Sequence, residues 1–402
     1  MRGVIIAIAK AKGGRKMRVE TDKRTKISHF AHAVLARVGA FVKRNVVLCI
    51  AVVLACVTCI FVPPDGQYLG YFDWKTLTCL FCVLAVVCAL RNIYFFSILA
   101  ERIVRIFKNT RACVLALVYI TFLGSMLIAN DMALLTFLPL GYFVLSSTGK
   151  EKYMAFTFIM QNVSANLGGM LTPFGNPQNL YLYNYFKIPT GAFTLTMLPP
   201  FCIAVALITL ACFFVKKEGL EIAPTGKTLP AWRTVIYGVL FALSIVIVFR
   251  VIPFWIGLIV IPAVLLFMDR KALKDVDYGL LFTFVAFFVF AGNMARIEAV
   301  EKLFSALMAK NELLVATLSC QCISNVPSAI LLSKFSTDWR PLLVGVNIGG
   351  VGTLISSLAS LITFREYTAK AKGNAGKYLL WFSIINFAFL AVLTVTEYFI
   401  LY

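Results

Sequence analysis

Along the chain, apolar residues come in runs of roughly 17–25, long enough to cross the hydrocarbon of a bilayer, and basic residues collect between the runs. This pattern predicts helical spans at 46–62, 74–90, 191–215, 234–249, 251–268, 279–295 and 378–400, with interfacial helices at 94–106 and 297–310. Four stretches depart from it. Residues 112–147 are apolar but interrupted by Asn130-Asp131, and basic residues flank both ends. A re-entrant hairpin with that interruption at its tip keeps both flanks on one face, as two full spans would also do. Residues 312–336 read as a second hairpin, with Ser324-Asn325-Val326-Pro327 near its tip. The segments 153–186 and 341–362 are apolar spans crowded mid-way with Gly, Asn, Ser and Thr, the first also with Pro. Proline removes a backbone donor and glycine loosens a helix. Such backbone survives in a membrane only where protein or a watery cavity satisfies it. Both segments are therefore read as discontinuous helices. The expected fold is an all-α membrane protein of about nine spans plus two hairpins.

Composition agrees: 60% of the 402 residues are hydrophobic and the mean hydropathy is +0.88, too apolar for a soluble domain of this length. The net charge of +20 raises the question of nucleic acid, but its distribution answers it. Residues 1–44 hold 12 of the 38 Lys and Arg, and most of the others fall in alternate loops. With the predicted topology, 30 of the 38 lie on one side and 8 on the other. That ratio is an orientation signal that places the N-terminus in the cytoplasm and the protein in the cytoplasmic membrane; no nucleic-acid partner is expected. The arm 1–45 is basic and is not a clean secretory signal. Within it, 25–43 reads as an amphipathic helix on the headgroups or as a solvated basic tail, and Met17 as an alternative start. Of the 11 cysteines most lie in spans, where packing explains them better than redox or metal chemistry; no histidine accompanies them.

The broken spans repeat each other. Asn166-Leu-Gly168-Gly169-Met-Leu-Thr172 recurs as Asn347-Ile-Gly349-Gly350-Val-Gly-Thr353. Phe72-Asp73-Trp74 and Val276-Asp277-Tyr278 each open a span, followed by an interfacial helix, a hairpin and a broken span. The chain thus divides into an arm (1–45), a first repeat (46–215), a linker with one extra span (216–250) and a second repeat (251–402). The extra span inverts the second repeat relative to the first, the arrangement of alternating-access carriers with a site near the midplane.

At such a site, half-helix N-termini suit an anion, while carbonyls and Asn, Ser and Thr oxygens suit Na⁺. The candidates are Asn130, Ser164, Asn166, Gly168, Gly169, Thr172, Gly175, Asn176 and Asn179 from the first half. From the second come Ser324, Asn325, Asn347, Gly349, Gly350, Thr353, Ser356 and Ser357. Small polar residues also let helices pack closely, so the paired asparagines and matched motifs carry more weight than any single Ser or Gly. Asp131 is the one carboxylate placed deep in the membrane, opposite Val326 in the second hairpin. An intramembrane acid is a functional group by default, and this one can couple transport to H⁺ or Na⁺. A bound Na⁺ would fall to Asn130, Asp131 and Asn325; no other metal and no cofactor are expected.

At these residues the chain resembles the ion transporter superfamily, which includes arsenite permeases, NhaD-type sodium–proton antiporters, citrate transporters and sodium–dicarboxylate symporters. IANDMALLTFLPL looks like the first-hairpin pattern of the arsenite and antiporter branch, and SANLGGMLTPFGNPQNL like the shared broken-helix signature. ISNVPSAILL and NIGGVGTLISSLASL look like their second-half counterparts. The resemblance, over about 46–400, implies two inverted repeats, a homodimer, and elevator movement of a domain carrying both hairpins. It also implies that Asn130, the 164–179 loop, Asn325 and the 347–357 loop line the substrate and cation sites. The chain departs from the dicarboxylate branch, which has Ser-Asn-Thr at both tips; here they read Ala129-Asn130-Asp131 and Ser324-Asn325-Val326. The leading expectation is a secondary carrier for a small anion, a carboxylate or oxyanion, driven by H⁺ or Na⁺. The alternative is a cation–proton antiporter using Asp131. An embedded enzyme would need a nucleophile–base pair or a metal cluster in the spans, and none is seen. A channel fits inverted broken helices less well.

Overall fold

The computed structural model describes residues 45–220, 229–371 and 373–402. The arm 1–44, with the helix read at 25–43 and the Met17 start, lies outside them. Among the described residues the chain is helical, with no strands. Helices α1 (Val46–Phe61), α2 (Trp74–Asn92), α3 (Phe95–Val104), α4 (Thr110–Ile128) and α5 (Asn130–Ser147) come first. Then come α6 (Met154–Gly168), α7 (Pro177–Tyr185), α8 (Thr190–Phe213), α9 (Ala231–Val248), α10 (Phe254–Met268) and α11 (Arg270–Lys274). The rest are α12 (Tyr278–Met294), α13 (Glu298–Lys310), α14 (Glu312–Ile323), α15 (Asn325–Leu332), α16 (Trp339–Ile348), α17 (Leu358–Lys370) and α18 (Ala375–Leu401).

Among the described residues, six stretches are long and apolar enough to cross a membrane, and α1, α10 and α14 are shorter apolar helices. α2 is the buried centre: every residue from Cys79 to Leu90 except the half-buried Phe81 is shielded by protein. α9 and α10 pack on α2, while α1 packs on α12, so the lead helix of each half lies against the span of the other. The outer helices α8, α9 and α18 leave Leu195, Val239 and Phe399 exposed, as helices bordered by lipid do.

The caps repeat along with the helices. Asp73 accepts from Thr76 N (2.9 Å) to start α2, and Asp277 from Leu280 N (3.0 Å) to start α12. Asn109 accepts from Ala112 N (2.9 Å) to start the first hairpin, and Asn311 from Leu314 N (2.8 Å) to start the second. Each cap satisfies an amide that its helix leaves unpaired.

The limbs of the first hairpin, 19 and 18 residues, are each as long as a span. Their outer ends nevertheless return to one face and are tied there by one residue. Thr110 N donates to Glu218 O (2.8 Å), and Lys150 and Lys152 each reach the Glu218 carboxylate at 2.6 Å. With Tyr153 donating as well, these partners push the Glu218 carboxyl down to about 2, Lys150 foremost. Glu312 ties the second hairpin in the same way, accepting from Ser336 Oγ (2.8 Å) and Thr337 N (3.1 Å). At the face away from the Glu218 knot, Arg296 holds Asp65 through two contacts (2.7 and 3.1 Å), keeping that carboxyl below the usual carboxylate range.

One expectation needs correction. The second broken span runs to Lys370 rather than 362, because Arg365 and Lys370 carry a helix out to the basic face instead of opening a loop. There Lys370 lies 4.8 Å from the Tyr142 ring. Near the end of α18, Glu397 is an acid shielded by protein, 1% exposed.

Candidate functional site

Both hairpins turn in a single residue. Ala129 (φ 64°, ψ 154°) and Ser324 (φ 74°, ψ 158°) adopt a backbone nearly confined to glycine. Each is followed by an asparagine that closes the tip. Asn130 Oδ1 accepts from Asp131 N at 2.9 Å, and Asn325 Oδ1 accepts from Val326 N at 2.9 Å. The two Asn-led tips thus share one geometry, and both asparagines are buried.

The broken spans stop where the repeated motif predicts, α6 at Gly168 and α16 at Ile348. Glycine is needed there for close approach. A Cβ on Gly168 would sit 2.2 Å from Phe122 O, and one on Gly169 would sit 2.4 Å from the Asn176 side chain. On Gly350 it would crowd Asn325 Nδ2 at 3.1 Å.

The two motif asparagines then reach across the molecule reciprocally. Asn166 Oδ1 accepts from Ser357 Oγ (2.8 Å) and from Asn130 Nδ2 (3.2 Å). Asn347 Oδ1 accepts from Asn176 Nδ2 (3.2 Å), and its Nδ2 donates to Asn179 Oδ1 (2.6 Å). Asn176 stands ten residues after Asn166, and Ser357 ten after Asn347. The bonds are therefore equivalent under the repeat: each motif asparagine is held by the residue that opens the other half's second helix. Asn162 Nδ2 adds a bond to Ser360 Oγ at 3.3 Å. All of these side chains are buried, so the bonds form away from water and unmade partners would be costly.

Beside this junction is a cavity of about 40 Å³, bordered by Asn130, Asp131, Gln178, Thr283, Asn325 and Ser357 among others. Ser324 also borders it. Asp131 Oδ1 and Gln178 Oε1 are enclosed without a hydrogen-bond partner among the described residues, as are Ser164 Oγ and Asn176 Oδ1. Unpartnered oxygens beside a cavity of that size suit a water or a dehydrated cation. Among the candidates, then, Asn130, Asp131, Ser324, Asn325 and Ser357 meet at the cavity, and Asn166, Asn176, Asn179 and Asn347 build the wall behind it.

The remaining candidates shape the loops. Thr172 Oγ1 donates to Met126 O (2.9 Å), and a Cβ on Gly175 would meet Gly169 O at 2.4 Å. Thr353 N donates to Gln321 Oε1 (2.9 Å), Ser356 Oγ to Gly350 O (2.9 Å), and Gly349 packs on Cys320. Three contributors went unread: Gln178, Gln321 and Thr283. Gln178 stood inside the broken stretch and could have been read there. Gln321, whose Nε2 donates to Gly349 O (2.9 Å) and Val351 O (3.2 Å), sits on an apolar helix with no motif to mark it. A roomier cavity, about 790 Å³, lies between α6, α8, α17 and α18, walled by Phe156, Trp381 and Phe389 and by none of the candidate residues.

Comparison with known proteins bears on the same region. Residues 33–341 match the citrate transporter family; the second broken loop, 349–357, lies past the matched part. The uncharacterized transporter MJ0456 of Methanocaldococcus jannaschii is 35% identical over 323 residues, spanning 80% of this chain and 88% of its own length. The inner membrane protein YbiR of Escherichia coli is 27% identical over 337 residues, spanning 80% and 88%. The crystal structure of the Alcanivorax borkumensis YdaH transporter shares 14% identity with a TM-score of 0.48, covering 83% of this chain and 88% of that one.

Proposed function

The chain belongs to the citrate transporter family and is an integral membrane transporter, not an enzyme; from that premise we propose that it is a secondary carrier for a small anion, a carboxylate or an oxyanion, driven by Na⁺ or H⁺. The observation that supports this most is the reciprocal junction of Asn166 with Ser357 and Asn347 with Asn176. It joins the two broken spans at one polar level and sets both hairpin tips beside it. Two halves of opposite sense meeting there can expose the cavity to either face by turns.

Within this reading the cavity takes the coupling ion. Asp131, Asn130, Asn325 and Ser324 supply the oxygen chemistry that Na⁺ prefers, and Asp131 can equally hold a proton. An anion binding next to an occupied ion site gains from that charge, and this ties its movement to the ion's. A second reading has its own support. A cavity of about 40 Å³ admits an ion but no carboxylate of citrate size, so exchange of Na⁺ for H⁺ at Asp131 needs no anion.

Flux measurements on the purified protein in proteoliposomes separate the two. Accumulation of a labelled carboxylate or oxyanion that requires an imposed Na⁺ or proton gradient supports the carrier. Na⁺–H⁺ exchange at full rate with no anion present would replace it with the antiporter.

A further inference from the structure

The polar cavity has a neighbour. A cleft of about 340 Å³ shares Val47, Leu280, Thr283 and Leu358 with it and continues outward between the first turns of α1 and α12 and one side of α17. On α17 the wall is made by Leu358, Leu361, Ile362 and Arg365, positions three and four apart that form one face of a helix. Seven residues at about 1.5 Å each carry that face roughly 10 Å from the junction. The outer end lies on the basic side: α17 ends at Lys370 beside Tyr142, and α12 follows Arg270, Lys271 and Lys274. The positive-inside rule makes this side cytoplasmic.

Two charged side chains line the cleft. Asp277 is engaged at one oxygen, accepting from Leu280 N (3.0 Å) to cap α12. Arg365 is exposed and forms no ion pair among the described residues. The cleft's volume falls within the range of small-molecule sites, whereas the inner cavity's does not. We propose that this cleft is the route between the cytoplasm and the inner cavity, and that Arg365 selects anions on it. The route is a matter of geometry alone; the anion preference rests on the carrier reading above. A guanidinium with no carboxylate committed to it presents a planar pair of donors matched to a carboxylate or oxyanion. The transported anion meets Arg365 first on entering from this side, or last on leaving.

The test uses two charged thiol reagents as probes, so it does not depend on knowing the substrate. Leu361→Cys, and separately Ile362→Cys, are made in the full chain in proteoliposomes. Each is reacted with a methanethiosulfonate bearing a sulfonate and with one bearing a quaternary ammonium. The unsubstituted chain is subtracted, because Cys56, Cys202 and Cys322 are exposed. Reaction at these positions with the anionic reagent favoured is expected. Adding Arg365→Gln is expected to lower the anionic-to-cationic rate ratio roughly tenfold, as removing one charge about 7 Å away does in a watery cleft, while Arg365→Lys keeps most of it. In transport, Arg365→Gln raises the half-saturating anion concentration on the cytoplasmic side and leaves the external value unchanged.

Folded Leu361→Cys and Ile362→Cys proteins that react with neither reagent would overturn the route. Reaction with a cationic preference, or a ratio indifferent to Arg365→Gln, would overturn the role of Arg365. An anion-preferring cleft in a protein that moves no anion would leave the route standing and defeat the carrier reading instead.

Discussion

Ala129 and Ser324 hold their hairpin tips in a backbone region that costs a non-glycine residue about 1–3 kcal/mol. What repays that cost is local: the following asparagine folds back on the next amide, and its own side-chain amide (Asn130) or backbone amide (Asn325) reaches the broken spans. Ala129→Gly should therefore stabilise the protein by about 1 kcal/mol after the larger entropy of a glycine chain is counted, a rise of a few degrees in Tm. A fall in Tm would show that the tip is not strained. Asp131 sits two residues beyond Ala129, with an enclosed oxygen that has no partner among the described residues. Asp131→Asn keeps the shape and removes the charge. It should abolish dependence of transport on the ion gradient while folded yield stays at the wild-type level; gradient-driven uptake that persists in this variant would remove Asp131 from the coupling step. Sequence made Asp131 and the asparagine pairs legible because a polar residue in an apolar run needs a reason. It did not do so for Glu397, a single acid near the end of the last span with no repeat partner or motif to mark it.

Among elements, the spans were legible to within a few residues because apolar run length and flanking charge are set by the bilayer itself. In the first hairpin, charge made the return to one face legible but not the kind of turn, since limbs of 19 and 18 residues look like two spans. The extent of α17 was not legible, because Arg365 and Lys370 signal a loop as readily as a helix that emerges into headgroups. Nor was the reciprocal junction, which needs two loops distant in sequence to meet. It makes its own prediction. Ser357→Ala removes one of two bonds to Asn166 Oδ1 and should cost about 1 kcal/mol; Asn166→Ala strands Asn130 Nδ2 and Ser357 Oγ as well and should cost about 2–4 kcal/mol. Equal costs, read from denaturant or thermal midpoints, would mean that Asn166 is not the hub. The Glu218 knot belongs at this scale too. A carboxyl lowered in the folded state adds stability above its ordinary value of about 4.5, and that stability is lost as pH falls through about 2. The Tm gap between wild type and Glu218→Gln should thus be flat from pH 8 to 5 and close only in strong acid. A gap that closes near neutral pH would assign the effect to another group.

For the whole molecule, the repeated caps, paired tips and exchanged lead helices form two matching sets of elements that share one polar level. Their polar loops are spent largely on each other: Asn347, Asn176 and Asn179 bond one another and nearby backbone, while Asp131 Oδ1 and Gln178 Oε1 at the tip cavity have no partner among the described residues. If ion and anion meet there, each should strengthen the other's binding. The most direct test is the thermal stability of the purified protein across a panel of carboxylates and oxyanions, in Na⁺ and in choline, for wild type, Asn130→Ala and Asn325→Ala. The expected result is stabilisation by at least one anion that is larger in Na⁺ than in choline, or larger at acidic pH if the proton is the partner, and that disappears in both variants. Stabilisation that persists unchanged in Asn130→Ala and Asn325→Ala would contradict it and place the ligand elsewhere in the protein.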